Sequence, residues 1–282
     1  MTRVGFIGLG SQGAPMARRI VDAGYQTTLW ARRAESLEPF ADTPAAIAAT
    51  PAELGEAVDI VGICVVDDAG VDAVLRGPDG VLATLAAGSV VIVHSTVHPD
   101  TCTRLQADFP AITVIDAPVS GGGHKAAAGE LVVMVGGPDD AVERCRPILA
   151  TYGNPILHLG PLGSGQEVKV LNNTMFTAQL ALAAEVYELA ARRGIDQQSL
   201  AQVLAGGSGR SYAGDVVVGG GFNLDGLAAV AGQLLAKDVG ILADRIDLAG
   251  TALLAAADAA LHRMRVARPT IDDQIDDQKE PG

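Results

Sequence analysis

Val4-Gly5-Phe6-Ile7-Gly8-Leu9-Gly10-Ser11-Gln12-Gly13-Ala14-Pro15-Met16 is the stretch whose reading decides the fold. Its apolar run stops at Gly8, and a helical pattern follows with Ala14, Ala17, Ile20 and Val21 on one face. Glycines at 8, 10 and 13 stand between the two, in the order Gly-x-Gly-x-x-Gly. Gly8 can take the tight turn out of the strand. A side chain at Gly10 would hold a diphosphate away from the backbone, and Gly13 lets the helix sit close to the strand. The open N–H groups and the dipole at the helix start then face the anion. Spaced glycines alone describe many tight βα turns. Placed between a strand and a helix, they predict dinucleotide binding by Gly8, Leu9, Gly10, Ser11, Gln12 and Gly13.

Outward from that turn, strand-like runs recur at Gln26–Trp30, Asp59–Val66, Ser89–Val93 and Ile112–Ile115, separated by helical or turn-rich segments. The alternation predicts a doubly wound parallel α/β sheet of Rossmann type. Leu131–Val135, a helix at Asp139–Leu149 and a short strand at Ile156–Leu159 follow, before Pro161-Leu162-Gly163 punctuates the chain. Residues 165–193 are rich in Ala, Leu, Val and Glu and read as one long helix, ~43 Å if wholly helical, with Gly194 as its C-cap. Further helices are expected at 196–205, 227–248 and 251–265, with a loop-rich interval over Gly206–Gly221 and a fraying acidic tail from Arg268. The expected architecture is a nucleotide-binding domain over 1–162 and an all-α domain over 163–282, opened by the long interdomain helix.

Composition narrows the function. With 282 residues, 49% hydrophobic and 19% charged, the chain can bury the cores of about two domains. A net charge of −13 argues against nucleic acid as a partner. It leaves anionic ligands open, because local N–H groups and a few cations outweigh a distant surface charge. No apolar run reaches the ~18–20 residues of a membrane span, and the N-terminus enters a strand directly rather than a signal peptide. Cys64, Cys102 and Cys145 show neither metal spacing nor a disulfide framework, and the five histidines show no metal spacing. The expectation is a cytoplasmic protein without metal, membrane or nucleic-acid partners.

Three further segments carry chemistry. Beyond the second strand, where a carboxylate would accept from the 2′-hydroxyl of NAD, the chain has Ala31-Arg32-Arg33. Guanidinium groups pair well with a 2′-phosphate, so NADP is expected over NAD. Asp116-Ala117-Pro118-Val119-Ser120-Gly121-Gly122-Gly123 is either an N–H nest for a carboxylate or a flexible turn. Gly163-Ser164-Gly165-Gln166-Glu167-Val168-Lys169-Val170-Leu171-Asn172-Asn173 opens the long helix, and its spacing puts Lys169 and Asn173 on one face. A lysine flanked by amides can exchange a proton with an oxygen that gains charge during hydride transfer.

These pieces together resemble the β-hydroxyacid dehydrogenase family, which includes 3-hydroxyisobutyrate dehydrogenases and tartronate, succinic and glyoxylate semialdehyde reductases. The resemblance runs from Arg3 to about Met264 and rests on five motifs in order. They are the Phe6–Met16 turn, Ser95-Thr96-Val97 with Pro99, Asp116–Gly122 with Ala126, Gly129 and Leu131, the Gly163–Asn173 segment, and Lys237-Asp238. The resemblance implies NAD- or NADP-dependent interconversion of a small anionic 3-hydroxy acid and its semialdehyde. By position it implies Lys169 as catalytic acid/base; Ser120, Gly121, Gly122 and Asn173 on the substrate; and Arg32, Val65, Val66, Thr96 and Lys237 on the cofactor. It also implies a homodimer or homotetramer built through the helical half.

The chain departs from the family pattern at Gln12, where Met is common, and at His124-Lys125 after the substrate loop, where small residues are usual. Two extra cations there would suit a dianionic substrate, or they are simply solvated. Imine reductases share the architecture, but many carry Asp or Tyr at the lysine position. A non-catalytic NADP(H)-binding sensor is the reading from a different class.

Overall fold

The structure is a computed structural model that describes residues 2–245 and 251–269. It divides into two compact units, Met1–Lys169 and Val170–Gly282. The first contains β1 (Arg3–Ile7), α1 (Gly13–Asp22), β2 (Gln26–Trp30), β3 (Ala46–Ile47), α2 (Pro51–Ala57), β4 (Ile60–Ile63), α3 (Asp68–Arg76) and β5 (Val90–Val93). It continues with α4 (Pro99–Asp108), β6 (Thr113–Asp116), β7 (Val119–Ser120), α5 (Gly122–Ala128), β8 (Leu131–Gly136), α6 (Asp139–Leu149) and β9 (Gly153–Gly160).

The sheet order is β3-β2-β1-β4-β5-β6-β8-β7, with β9 paired to β8. The first six strands are parallel, in the order of a dinucleotide-binding sheet. The departure from an all-parallel sheet is β8, which runs antiparallel to β6 and β7 and parallel to β9. β4 and β5 are buried throughout, as strands with helices on both faces must be. One core layer packs Phe6, Met16, Ile20 and Leu29 with Val133 and Tyr152; the other packs Leu54, Val61, Leu75, Val91 and Leu105.

The register positions the site. Ile7 pairs with Trp30 and Ile63, Ile63 with Val93, and Val93 with Asp116. Five strands therefore end in one row across the sheet. The segments that follow, at 8–13, 31–36, 64–67, 94–97 and 117–123, leave from the same carboxyl edge.

His94, beyond β5, is a structural histidine. Its Nδ1–H donates to the Ala117 carbonyl at 2.7 Å, its Nε2 accepts from the Tyr152 hydroxyl at 3.1 Å, and its ring stacks on Phe6. Burial pulls its pKa down from 6.5 to about 4, against the opposing bond to Ala117. The folded protein thus resists a proton that the unfolded chain takes up below about pH 6.5. Stability from this site is complete above that pH and falls as pH drops toward 4, by about 3 kcal/mol. In urea unfolding, the stability of the wild type relative to His94→Phe is expected to fall by that amount between pH 7 and pH 4. A constant difference would contradict the buried neutral imidazole.

The second unit holds most of α7 (Ser164–Arg192), then α8 (Gln197–Gly206), α9 (Tyr212–Gly219), α10 (Asp225–Arg245) and α11 (Ala252–Arg263). Ala184, Tyr187, Val217, Leu235, Val239, Ala257 and Leu261 are in its core. α9 corrects the loop expected over Gly206–Gly221. Ser211 caps it by accepting from the Gly214 N–H at 3.0 Å, and Ala213 and Val217 are buried. The glycines around it conceal a short helix whose apolar residues find a core only after folding. By length and composition α10 is long and apolar enough to cross a membrane, although Gln233, Lys237 and Asp238 interrupt its apolar residues. Its Leu235, Ala236, Val239 and Leu242 are buried in the unit. The expected acidic tail beyond residue 269 lies outside the described residues.

Candidate cofactor and active site

The glycine turn is built as its chemistry requires, and its three glycines have different reasons to be there. Gly8 has φ of 97°, and a Cβ on it would lie 2.2 Å from the Cys64 carbonyl oxygen. A Cβ on Gly13 would lie 1.9 Å from the Gly8 carbonyl oxygen. Both are demanded by the protein's own packing. A Cβ on Gly10 would meet nothing within 4 Å. Open space at the middle glycine is the cradle a diphosphate needs. The start of α1 has no side-chain cap and no acid in its first turn, so no side-chain charge opposes an anion there; its Ala14 N–H bonds the Gly10 carbonyl at 2.9 Å and Pro15 carries no N–H. Gly10→Ala is expected to leave the melting temperature unchanged and to weaken binding of the NAD(P) cofactor about tenfold or more. A loss of stability with binding unchanged would contradict this division of roles.

A cleft of about 690 Å³ opens beside this turn. Gly8, Leu9 and Gly10 line it at one side, and Val65 and Val66 beyond β4 at another. Arg32 and Arg33 line the end beyond β2, joined by Ser36, which the sequence did not single out. Asp67 also lines the cleft, but its Oδ1 is committed to capping α3 through the Gly70 N–H at 2.8 Å. Cys64 lies half-buried in the same wall, and desolvation pushes its thiol up to about 12.

The substrate-loop segment abuts the cofactor turn. Ser120 closes β7, Gly121 and Gly122 have φ of 135° and 75°, and α5 begins at once. The glycine run is thus an ordered strand-to-helix turn. A Cβ on Gly123 would lie 2.4 Å from the Ser11 carbonyl oxygen, so the two turns are in direct contact. His124 and Lys125 are exposed, and Lys125 Nζ stands 3.7 Å from Glu130, which favours the solvated reading.

Asp116, at the end of β6, anchors the start of α7. Its Oδ1 accepts from the Gly163 N–H and its Oδ2 from the Gln166 N–H, each at 2.7 Å. Burial pushes this carboxyl above its ordinary value, and those amides pull against the shift. The next turn of α7 brings Lys169, only 8% exposed. The same helix runs on into the second unit and carries Asn172 and Asn173 there.

The model of the NAD binding domain of 6-phosphogluconate dehydrogenase matches residues 3–160. The model described as NAD-binding of NADP-dependent 3-hydroxyisobutyrate dehydrogenase matches residues 163–278. The chain belongs to the 3-hydroxyisobutyrate dehydrogenase family. As a member it is an NAD(P)-dependent hydroxyacid dehydrogenase. It is similar to the L-threonate dehydrogenase of Cupriavidus necator, 33% identical, over 86% of this chain and 82% of that one. It is similar to the NAD-dependent L-serine dehydrogenase of Pseudomonas aeruginosa, 32% identical, over 86% and 84%. Among solved structures, the 3-hydroxyisobutyrate dehydrogenase of Mycobacterium tuberculosis with L-serine matches at a TM-score of 0.81 and 28% identity. That match covers 99% of this chain and all of the other.

Within the second unit of this 3-hydroxyisobutyrate dehydrogenase family member, one carboxylate links the expected residues. Asp238 on α10 is buried; its Oδ2 accepts from Asn173 Nδ2 at 2.5 Å, and Lys237 Nζ stands 3.0 Å from its Oδ1. Asn172 Nδ2 donates to Asn173 Oδ1 at 3.0 Å. Asn173 and Lys237 are thereby oriented by a common partner.

Proposed function

We propose that the protein is an NADP(H)-preferring dehydrogenase that interconverts a short 3-hydroxy acid and its semialdehyde, with Lys169 as general acid/base. The observation that carries the proposal is the buried lysine on a helix start pinned by Asp116, in the same unit as an open diphosphate cradle. The bound nicotinamide supplies or accepts the hydride. In reduction the Lys169 ammonium donates a proton to the carbonyl oxygen as charge develops there, and in oxidation the neutral amine takes the hydroxyl proton. The Ser120 hydroxyl and the N–H groups of Gly121 and Gly122 receive the substrate carboxylate, and Asn173 helps to hold it. Thr96, Val65, Val66 and Lys237 are assigned to the cofactor, with residues 1–162 as the cofactor domain and 163–282 as the helical domain. The relatives named for L-threonate and L-serine point to the same class of small hydroxylated acid.

Arg32, Arg33 and Ser36 support NADP over NAD, since the residues directly after β2 are Ala31-Arg32-Arg33 and put guanidinium groups rather than a carboxylate where the ribose 2′-hydroxyl would be read. Titration of protein fluorescence is expected to give a dissociation constant at least about tenfold lower for NADPH than for NADH. Equal affinities would contradict the preference.

The outer face of α7 supports self-association. Leu171, Met175, Leu182, Val186 and Leu189 are exposed at spacings of four, seven, four and three residues, an apolar stripe on one helix face. We assign it to a second copy of the chain. Sedimentation at micromolar concentration is expected to give a dimer or tetramer; a monomer would contradict the assignment.

A further inference from the structure

Gln166 has no role in the chemistry above, yet its side chain is fully buried and makes two directed hydrogen bonds. Its Oε1 accepts from the Val97 N–H at 3.2 Å, and its Nε2 donates to the Ser95 carbonyl at 2.8 Å. The donors and acceptors on the backbone side are fixed, so the amide has one orientation. The two bonds bracket Thr96, gripping the peptide groups on either side of it. Ser95 extends the grip, because its Oγ accepts from the Val65 N–H at 2.8 Å. One side chain therefore ties the segments beyond β4 and β5 to the first turn of α7, three residues ahead of Lys169.

We propose that Gln166 is a positioning residue for hydride transfer: it fixes the backbone on both sides of Thr96 and sets that loop in register with Lys169. The inference rests on the roles of Thr96 and Lys169 given above. It does not depend on Gln166 holding the helix in place, because Asp116 does that through backbone N–H groups that any residue but proline retains at 166. Removing the amide should therefore loosen the loop relative to the lysine and spare the fold. Catalysis is steep in such geometry, since a displacement of about 1 Å can cost ~10²-fold in rate.

The test uses Gln166→Met, similar in volume and without the hydrogen bonds, and Gln166→Asn, which keeps an amide one methylene too short to span both partners. Each is compared with the wild type by thermal unfolding, by the affinity and saturating emission enhancement of NADPH, and by single-turnover hydride transfer. The substrate is a semialdehyde that the wild type reduces. The expected result is NADPH affinity within about threefold of wild type, a weaker emission enhancement, and transfer slowed by ~10–10²-fold in the Met variant and less in the Asn variant. Emission and transfer rate both unchanged would overturn the proposal, even with a lowered melting temperature, because Gln166 would then be structural only. A wild type that binds NADPH but reduces no semialdehyde would refute the functional reading instead. The emission of the two variants would still decide the loop's dependence on Gln166: weakened, it supports the grip on Thr96; unchanged, it overturns it.

Discussion

Lys169→Ala is expected to lower turnover by ~10²–10⁴-fold or more while NADPH still binds. The lysine is only 8% exposed, so little of the residue meets bulk water. It follows a helix start held by two 2.7 Å bonds to a buried carboxylate. A proton donor fixed in this way needs no reorganisation when oxygen gains charge, whereas water replacing it must be ordered at the moment of reaction. Cofactor affinity should change little, because the cleft that meets the diphosphate and adenosine ends is lined by residues 7–74. Steady-state turnover together with an NADPH titration separates the two effects. Turnover unchanged with binding intact would remove Lys169 from the chemistry; binding lost in parallel would make it a cofactor ligand.

Arg32→Asp is expected to shift the ratio of NADPH to NADH affinity by on the order of 10²-fold toward NADH. The substitution deletes a guanidinium suited to a phosphate and adds a carboxylate that repels it. That carboxylate can accept from the 2′-hydroxyl of NADH. Among the described residues Arg32 and Arg33 have no ion-pair partner to be released, so the change acts on the ligand rather than on a network. Because both side chains are exposed, the shift should shrink as salt is raised. Equal weakening for both cofactors would contradict the assignment.

Much of this site is legible in the sequence because its parts are local. A strand that stops at a glycine, a helix that starts three residues after the next, and a lysine four residues before an asparagine are patterns with periods of two and 3.6. Positions that answer to the ligand rather than to the fold are readable for the same reason, as the empty space at Gly10 illustrates. What the sequence hides is long-range. Asp116 reaches Gly163 and Gln166, 47 and 50 residues on, and Gln166 reaches back 71 residues to Ser95. No spacing rule connects such pairs, and each residue alone looks like an ordinary polar group beside a glycine. The direction of β8 depends on which neighbour it pairs with, and α9 on a core supplied by other helices. His94 shows the opposite error that isolated reading invites. Beside Ser95 and Thr96 it could be taken for a nicotinamide contact, but its ring is sealed between Phe6 and Tyr152.

The proposed activity is NADP(H)-dependent oxidation and reduction of a short hydroxy acid. Initial rates of the wild-type enzyme decide it, with NADP(H) and NAD(H) offered separately against small 3-hydroxy acids, their semialdehydes and cyclic imines. The expected result is NADP(H)-dependent turnover of at least one acid–semialdehyde pair, faster per unit cofactor than with NAD(H). Turnover of imines alone, or cofactor binding with no turnover of any pair, would contradict it.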